Sequence, residues 1–163
     1  MDLEEFNSTP ADRLRPALAA CCDVPRWVDG ILAKRPYGDL AALTAVADQL
    51  LRELDDDEVD RALQAHPRIG DRPQGASTEA AWSRSEQSGV TDEPEVRREL
   101  VEGNRQYEER FGRVFLICAT GLSAREMLTK LRDRLANDNA TEATVVQEEL
   151  RKIALLRLAK VVA

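Results

Sequence analysis

The chain has 163 residues and a mass of 18.2 kDa, a length typical of one domain that can bury a hydrophobic core. Its 43% hydrophobic and 33% charged residues, with only eight Gly and seven Pro, exclude collagen-like, low-complexity and largely disordered classes and predict a soluble globular protein. A formal charge of −7 and the lack of a basic stripe argue against a nucleic-acid partner.

Membrane insertion and secretion are not expected. The longest apolar run, residues 114–119, is far below the roughly 20 residues that cross a bilayer, and the acidic start MDLEEF lacks a signal peptide's features. Three cysteines, Cys21, Cys22 and Cys118, are too few for a disulfide framework or a Cys-rich zinc site. These features favour a cytoplasmic protein without a membrane partner.

The N-terminal third of the chain reads as three amphipathic helices. The first covers about 9–22, with Thr9 as N-cap and a kink at Pro16, and the second covers 25–34. Asp39 caps the third. The residues predicted to be buried are Leu14, Leu18 and Cys21 in the first helix, and Leu40, Leu43, Val46 or Ala47, Leu50 and Leu54 in the third.

The middle of the chain predicts three more helices around an ordered loop at 67–77. A short helix starts in the acidic run 55–57 and ends by His66, because Pro67 follows. Ser77 or Thr78 caps the next, which runs through Gln87 and is ended by Gly89. Thr91 opens a longer helix to Phe111, with Gly112 after it. Its inner face is Val96, Leu100, Tyr107 and Phe111.

The C-terminal third predicts two helices after a buried piece of chain. The run 114–119 is strand-like but has no strand to pair with, so we predict a short buried extended segment. Ser123 and Glu126 form a capping box, and 137–139 is the turn into the last helix. The apolar residues predicted to be buried are Leu128, Leu131 and Leu135 in the first of these helices, and Val146, Leu150, Ile153 and Leu156 in the last. The fold class is therefore all-α, with residues 1–163 as one compact multi-helix domain.

His66 is the only histidine, and it lies at the edge of a Gly- and Pro-rich loop, where functional groups are often found. The negative end of a helix dipole favours imidazolium, which suits a proton-transfer group near neutral pH. The alternative is a histidine that only neutralises the last carbonyls of its helix.

Three polar residues of the following helix, Ser83, Glu86 and Gln87, share one face because they lie at i, i+3 and i+4. Two neutral hydrogen-bonding groups around a single carboxylate indicate a binding face. The alternative is a solvated surface.

Arg157 lies on the apolar stripe of the last helix, inside the run IALLRLAKVV. A buried guanidinium needs an anion or a satisfied network, so Arg157 is a candidate substrate anchor. Snorkelling into water from a partly buried helix is the alternative.

Other chemistry has little support in the sequence. One histidine and scattered carboxylates do not supply a usual zinc site, and no Gly-rich phosphate cradle occurs. Cys118, in its apolar run, is better explained as a small core residue than as a nucleophile.

Four segments together resemble the family of 2-oxo-4-hydroxy-4-carboxy-5-ureidoimidazoline (OHCU) decarboxylases. They are AHPRIGD (65–71), SRSEQSG (83–89), YEERFG with FLICATG (107–121), and EELRKIALLRL (148–158). The HP pair followed by SxxEQ is the specific part. Residues differ from the commoner family pattern at Arg68, Val114 and Thr120.

The resemblance implies an all-helical, cofactor-free carboxy-lyase that converts OHCU to (S)-allantoin in uric acid degradation. It implies His66 and Glu86 as catalytic residues and a small ureide as the partner, and it allows a homodimer. The implied substrate-binding residues are Pro67, Ser83, Gln87, Phe115, Ile117, Cys118, Ala119 and Arg157. A helical interaction module without activity, or another lyase or hydrolase acting on a ureide, are the competing functions.

Overall fold

The computed structural model describes residues 1–69, 78–87 and 93–163, and in these ranges every regular element is a helix. The all-α prediction is confirmed. In chain order the helices are α1 (Leu3–Ser8), α2 (Ala11–Cys21), α3 (Pro25–Ala33), α4 (Leu40–Arg52), α5 (Asp56–Leu63), α6 (Thr78–Glu86), α7 (Pro94–Phe111), α8 (Ala124–Leu135) and α9 (Asn139–Val161). Across the described ranges, none of them is long and apolar enough to span a membrane.

The described chain forms two compact units. The first consists of Met1–Ala62 together with Arg151–Ala163, and the second of Leu63–Leu150. The boundary between Leu150 and Arg151 lies inside α9, so that one helix contributes to both units.

The first unit is built on the packing of α2 against α3 and of α3 against α4. Trp27 of α3 is fully buried, and its indole Nε1 donates a hydrogen bond to the Ala47 carbonyl of α4 at 3.1 Å. Asp39 caps α4 as predicted, because its carboxylate accepts the Ala42 amide at 2.7 Å. A buried aromatic side chain with its one polar group satisfied anchors these helices.

At the N-terminus one helix was not predicted and one predicted cap is wrong. Residues Leu3–Ser8 form a helix that the sequence analysis missed, although Asp2 and Glu5 carry its signal, a reciprocal capping box. Thr9 does not cap α2. It ends α1, where its hydroxyl donates to the Glu5 carbonyl at 2.6 Å, and α2 begins after Pro10.

The predicted apolar stripes are largely correct, with errors near helix ends. Leu14, Leu18 and Cys21 are buried in α2. In α4 the buried residues are Leu43, Ala47 and Leu51, whereas Leu40 is 45% exposed and Leu50 is half-buried. In α9, Val146, Leu150 and Ile153 are buried, but Leu156 is 44% exposed. A stripe chosen by spacing alone drifts around the helix over several turns, which explains these errors.

The second unit is centred on α7 and α8, which pack closely at Gly103. A Cβ atom at that position would lie 2.1 Å from Cδ2 of Leu131, a fully buried side chain of α8. Any larger residue at position 103 would therefore force the Leu131 side chain to shift. The core here includes Leu100, Tyr107 and Met127.

The ends of the central helices agree in part with the sequence. Gly112 ends α7 with a φ of 69°, the left-handed conformation predicted for it. Ser123 and Glu126 form the predicted capping box of α8. Helix α7 begins at Pro94, after an extended Glu93, so the predicted start at Thr91 is wrong. The predicted cap Ser77, Gly89 and most of the 67–77 loop lie outside the described residues.

Candidate active site

His66 lies just beyond the C-terminal end of α5. That helix ends at Leu63, whose carbonyl accepts the backbone N–H of His66 at 3.0 Å. His66 and Pro67 are both half-buried residues of the second unit.

Helix α7 holds the chain that follows His66. The carbonyl of Ile69, a buried residue, accepts a hydrogen bond from Nδ2 of Asn104 at 2.9 Å. Arg68 forms a salt bridge with Glu108, one turn further along α7, with Nε and Oε1 2.7 Å apart. The charge that Arg68 brings next to His66 is therefore paired with a carboxylate.

The second polar atom of Asn104, its Oδ1, is also buried. Its side chain is 4% exposed, and Oδ1 has no hydrogen-bond donor within the described ranges. A buried carbonyl oxygen without a donor costs free energy, about 1 to 3 kcal/mol. Asn104 is thus held in place by its contact with Ile69 and by packing.

Helix α6 carries the three polar residues of the SxxEQ motif. Ser83 is 3% exposed, and Glu86 and Gln87 are half-buried. A solvated surface does not bury a serine to this extent, so that alternative is excluded for Ser83. The Gln87 amide donates to the Ser83 carbonyl at 3.1 Å, which extends the helical pattern through all three residues.

Residues 114–119 have no regular secondary structure and are mostly buried, as predicted. Phe115, Ile117 and Ala119 are between 1% and 4% exposed, while Cys118 is half-buried. The Leu116 carbonyl accepts from Nη1 of Arg134 at 2.6 Å, and the Cys118 amide donates to Oε1 of Glu149 at 3.2 Å. Side chains of α8 and α9 thus supply hydrogen-bond partners for two backbone groups of this segment.

Arg134 belongs to a buried polar network. Its Nε and Nη2 donate to Oε1 of Glu142 at 2.8 and 2.5 Å, and the Tyr107 hydroxyl donates to the same oxygen at 2.6 Å. Asn137 Nδ2 donates to the other carboxylate oxygen at 3.0 Å. The guanidinium also lies over the Phe115 ring, 4.5 Å from its centroid.

This network holds Tyr107 in its neutral form. Burial, and next the hydrogen bond to the Glu142 carboxylate, raise the pKa of the Tyr107 hydroxyl well above its ordinary value of 10.0. The hydroxyl is therefore a hydrogen-bond donor, and not a proton carrier, at any physiological pH.

Arg157, on the part of α9 that belongs to the first unit, is 1% exposed. Its Nη1 donates to the Ala20 carbonyl at 3.0 Å. The snorkelling alternative is excluded, because the guanidinium does not reach water. The neighbouring stripe residues Val146, Leu150 and Ile153 are buried, as expected.

The predicted site residues divide between the units. His66, Pro67, Ser83, Glu86, Gln87, Phe115, Ile117, Cys118 and Ala119 all lie in Leu63–Leu150, and Arg157 lies in the first unit. No group of three or more His, Cys, Asp or Glu residues that could hold a metal ion occurs in the ranges 1–69, 78–87 and 93–163.

The sequence analysis missed the polar residues that support these segments, namely Asn104, Arg134, Glu142 and Glu149. A signal was available. Asn104 lies between Leu100 and Tyr107 at steps of four and three on the inner face of α7, and Glu142 and Glu149 lie at steps of four and three around Val146. A polar residue on an apolar stripe must be satisfied in the core, so each predicted a buried contact.

Comparisons with known proteins give a consistent result. The family model for OHCU decarboxylase matches residues 7–159. The chain is 32% identical over 144 residues to the uric acid degradation bifunctional protein TTL of Arabidopsis thaliana, covering 86% of this chain and 44% of that protein. It is 28% identical over 167 residues to the 2-oxo-4-hydroxy-4-carboxy-5-ureidoimidazoline decarboxylase of Amia calva, covering 99% and 95%.

A solved structure gives the same family. The crystal structure of OHCU decarboxylase in the presence of (S)-allantoin matches with a TM-score of 0.76 and 25% identity, covering 90% of this chain and 96% of that one. The chain spans less than half the length of the bifunctional proteins that it matches.

Proposed function

Because this chain belongs to the OHCU decarboxylase family, we propose that it is a carboxy-lyase that converts OHCU to (S)-allantoin in uric acid degradation. The observation that carries the proposal is the position of the HP pair and the SxxEQ residues. Half-buried His66 and the α6 residues Ser83, Glu86 and Gln87 belong to one compact unit with the buried segment 115–119. The match over residues 7–159 includes both units, which supports treating the chain as one domain of this family.

The proposed reaction needs no electron sink from outside the substrate. Breaking the bond to the carboxylate carbon releases carbon dioxide and leaves an electron pair on the ring carbon. The rest of the ring can accept that electron density until a proton takes the place of the carbon dioxide. The protein's task is then to position the substrate and to stabilise the developing charge. We propose that His66 transfers the proton and that Glu86 orients the imidazole.

The remaining residues are assigned to binding. Ser83 and Gln87 hydrogen-bond the ureido group and ring amides, and Arg157 holds an anionic or carbonyl oxygen. Pro67 and the backbone of 115–119, including Phe115, Ile117, Cys118 and Ala119, line the pocket. We propose a cytoplasmic location for this chemistry, because three cysteines are too few for the disulfide framework of a small secreted protein.

The test is the stereospecific formation of allantoin from freshly generated OHCU, followed by circular dichroism. The chain should accelerate formation of the S enantiomer. An interaction module without activity would leave only the spontaneous reaction, which gives racemic allantoin at an unchanged rate. A lyase or hydrolase specific for another ureide would not accelerate the reaction of OHCU, but it would turn over that other ureide. Light scattering on the same sample tells a monomer of 18.2 kDa from a homodimer.

Replacing Glu86 by Gln should lower turnover roughly tenfold and change allantoin affinity much less, since the carboxylate matters most while the imidazole is protonated. The change is isosteric and removes one charge. Steady-state kinetics with calorimetry would show the difference. Glu95→Gln, which removes an exposed carboxylate from α7, is the matched control and should leave both quantities unchanged. A Glu86→Gln protein with normal turnover would remove Glu86 from the mechanism.

Replacing Arg157 by Lys should weaken allantoin binding about tenfold, because the loss of one charge-assisted hydrogen bond costs about 1.5 kcal/mol. Lysine keeps the charge but lacks the planar fork. The control is Arg151→Lys on the same helix, where Arg151 pairs with Asp48 at 3.0 Å, and it should keep the affinity of the parent protein. Equal affinities of the Arg157→Lys and parent proteins in calorimetry would remove Arg157 from substrate binding.

A further inference from the structure

The starting observation is that residues 114–119 need partners for buried backbone groups. An unpaired N–H or C=O group in the core is costly, and in the described ranges no strand is present to pair with this segment. The Leu116 carbonyl is satisfied by Arg134 at 2.6 Å, and the Cys118 amide by Glu149 at 3.2 Å. The backbone position of the segment thus depends on side chains of α8 and α9.

Arg134 is itself fixed by a chain of contacts. Its side chain is 9% exposed and that of Glu142 is 1% exposed. Two bonds from the guanidinium and one from the Tyr107 hydroxyl converge on Oε1 of Glu142, and Asn137 holds Oε2. With Nε and Nη2 committed to Glu142, Nη1 is aimed at the Leu116 carbonyl in a single orientation.

The energetics indicate why an ion pair occupies this position. Desolvating two charges offsets most of their attraction, and apolar residues of similar volume often stabilise a fold as well or better. An apolar replacement, however, has no donor for the Leu116 carbonyl. The net energy of the ion pair therefore does not explain a guanidinium here, whereas its hydrogen bond to the Leu116 carbonyl, which fixes the backbone of this segment, does.

We propose that Arg134 and Glu142 are positioning residues for the decarboxylation, which set the backbone of residues 115–119 for the substrate through the Leu116 carbonyl. The inference rests on the proposed function, because it takes that segment as a wall of the substrate pocket. Neither side chain needs to touch the substrate. Their effect on the reaction is transmitted by one hydrogen bond to the backbone.

The experiment separates positioning from stability with an apolar replacement of the whole network, Arg134→Met, Glu142→Met and Tyr107→Phe together. Urea unfolding should show a folded protein with a modestly lowered midpoint, because no buried charge is left unpaired but the Leu116 carbonyl loses its donor. The KM for OHCU and the Kd for (S)-allantoin should both rise about tenfold or more, since small displacements of pocket groups have large effects, while kcat falls less. A stable triple variant with the parent's KM and Kd would overturn the positioning role.

A second variant covers the case in which the triple variant does not fold. Arg134→Lys keeps the buried charge next to Glu142, but an ammonium cannot hold the carboxylate and reach the Leu116 carbonyl with the same planar geometry. It should fold, with KM and Kd raised and with faster amide hydrogen exchange in residues 115–119. A Lys variant with the parent's KM, Kd and exchange rates would equally overturn the proposal.

Two controls complete the design. The exposed pair Arg125–Glu93, 2.9 Å apart, can be replaced by Met residues and should change neither KM nor Kd. Leu43→Ala removes a buried side chain of the first unit and lowers stability, yet should keep the parent's KM. Failure of the parent protein to make (S)-allantoin would instead overturn the proposed function, so the two failures are distinguishable.

Discussion

His66→Ala should lower the decarboxylation rate by about 10²- to 10⁴-fold, the usual contribution of a proton-transferring side chain. The fold should persist, because His66 is half-buried and lies beyond the end of α5. The far-ultraviolet circular dichroism and urea midpoint should therefore stay close to those of the parent protein. His66→Asn should be equally inactive, since an amide keeps hydrogen bonding but carries no proton near neutral pH.

Gln64→Ala is the control for this experiment. Gln64 is exposed and lies two residues before His66, so its loss should change neither rate nor stability. Near-normal activity in His66→Ala would remove His66 from the mechanism. The proposed proton transfer would then have no assigned residue in this chain. Inactivity of Gln64→Ala would mean that the turn, and not the imidazole, was disturbed.

Stability should fall steeply above pH 9, and Cys22 should account for a large part of the loss. Burial, and then the nearby charges of Cys21, Asp23 and Glu58, raise the pKa of the Cys22 thiol from 9.0 to about 12. Between these values the unfolded chain releases this proton and the folded chain keeps it, so the free energy of unfolding falls as pH rises. By pH 11 the loss is about 2 to 3 kcal/mol, from about 1.4 kcal/mol per pH unit.

Urea unfolding at pH 7.5, 9.5 and 11 measures this effect. Cys22→Ala should lose less stability between the first and last pH than the parent protein, even if it is less stable at pH 7.5. Cys22→Ser, which keeps a polar group and does not titrate in this range, should show the same shallower dependence. The raised pKa of Tyr107 acts in the same direction in all three proteins and cancels in the comparison. Parallel curves for the three proteins would exclude Cys22 as the source.

Most helices could be predicted because their signals are local. Asp39, the Ser123 and Glu126 capping box, and Gly112 mark helix ends by contacts within four residues, and the structure places them as expected. Thr9 was misassigned because threonine can bond the carbonyl of a preceding helix as well as the amides of a following one, and spacing does not tell these apart.

The site could be predicted only in part, because its supporting contacts join residues far apart in sequence. His66 and the SxxEQ residues are candidates by their positions in the sequence, the family resemblance supplies their roles, and their mutual geometry remains a prediction. Asn104 contacts Ile69 across 35 residues, and Arg134 contacts Leu116 across 18. Such pairs have no periodicity, and only a polar residue on an apolar helix face indicates that one exists.

The burial of the Arg134–Glu142 pair has a consequence for ionic strength. Dissolved salt screens charges that counterions can approach, over about 8 Å at 0.15 M, and exposed pairs such as Arg105–Glu109 weaken accordingly. With side chains 9% and 1% exposed, Arg134 and Glu142 are shielded from counterions by the protein around them. The backbone of residues 115–119 should therefore keep its position from dilute buffer to molar salt, and any salt dependence of ligand binding would originate elsewhere than in this segment.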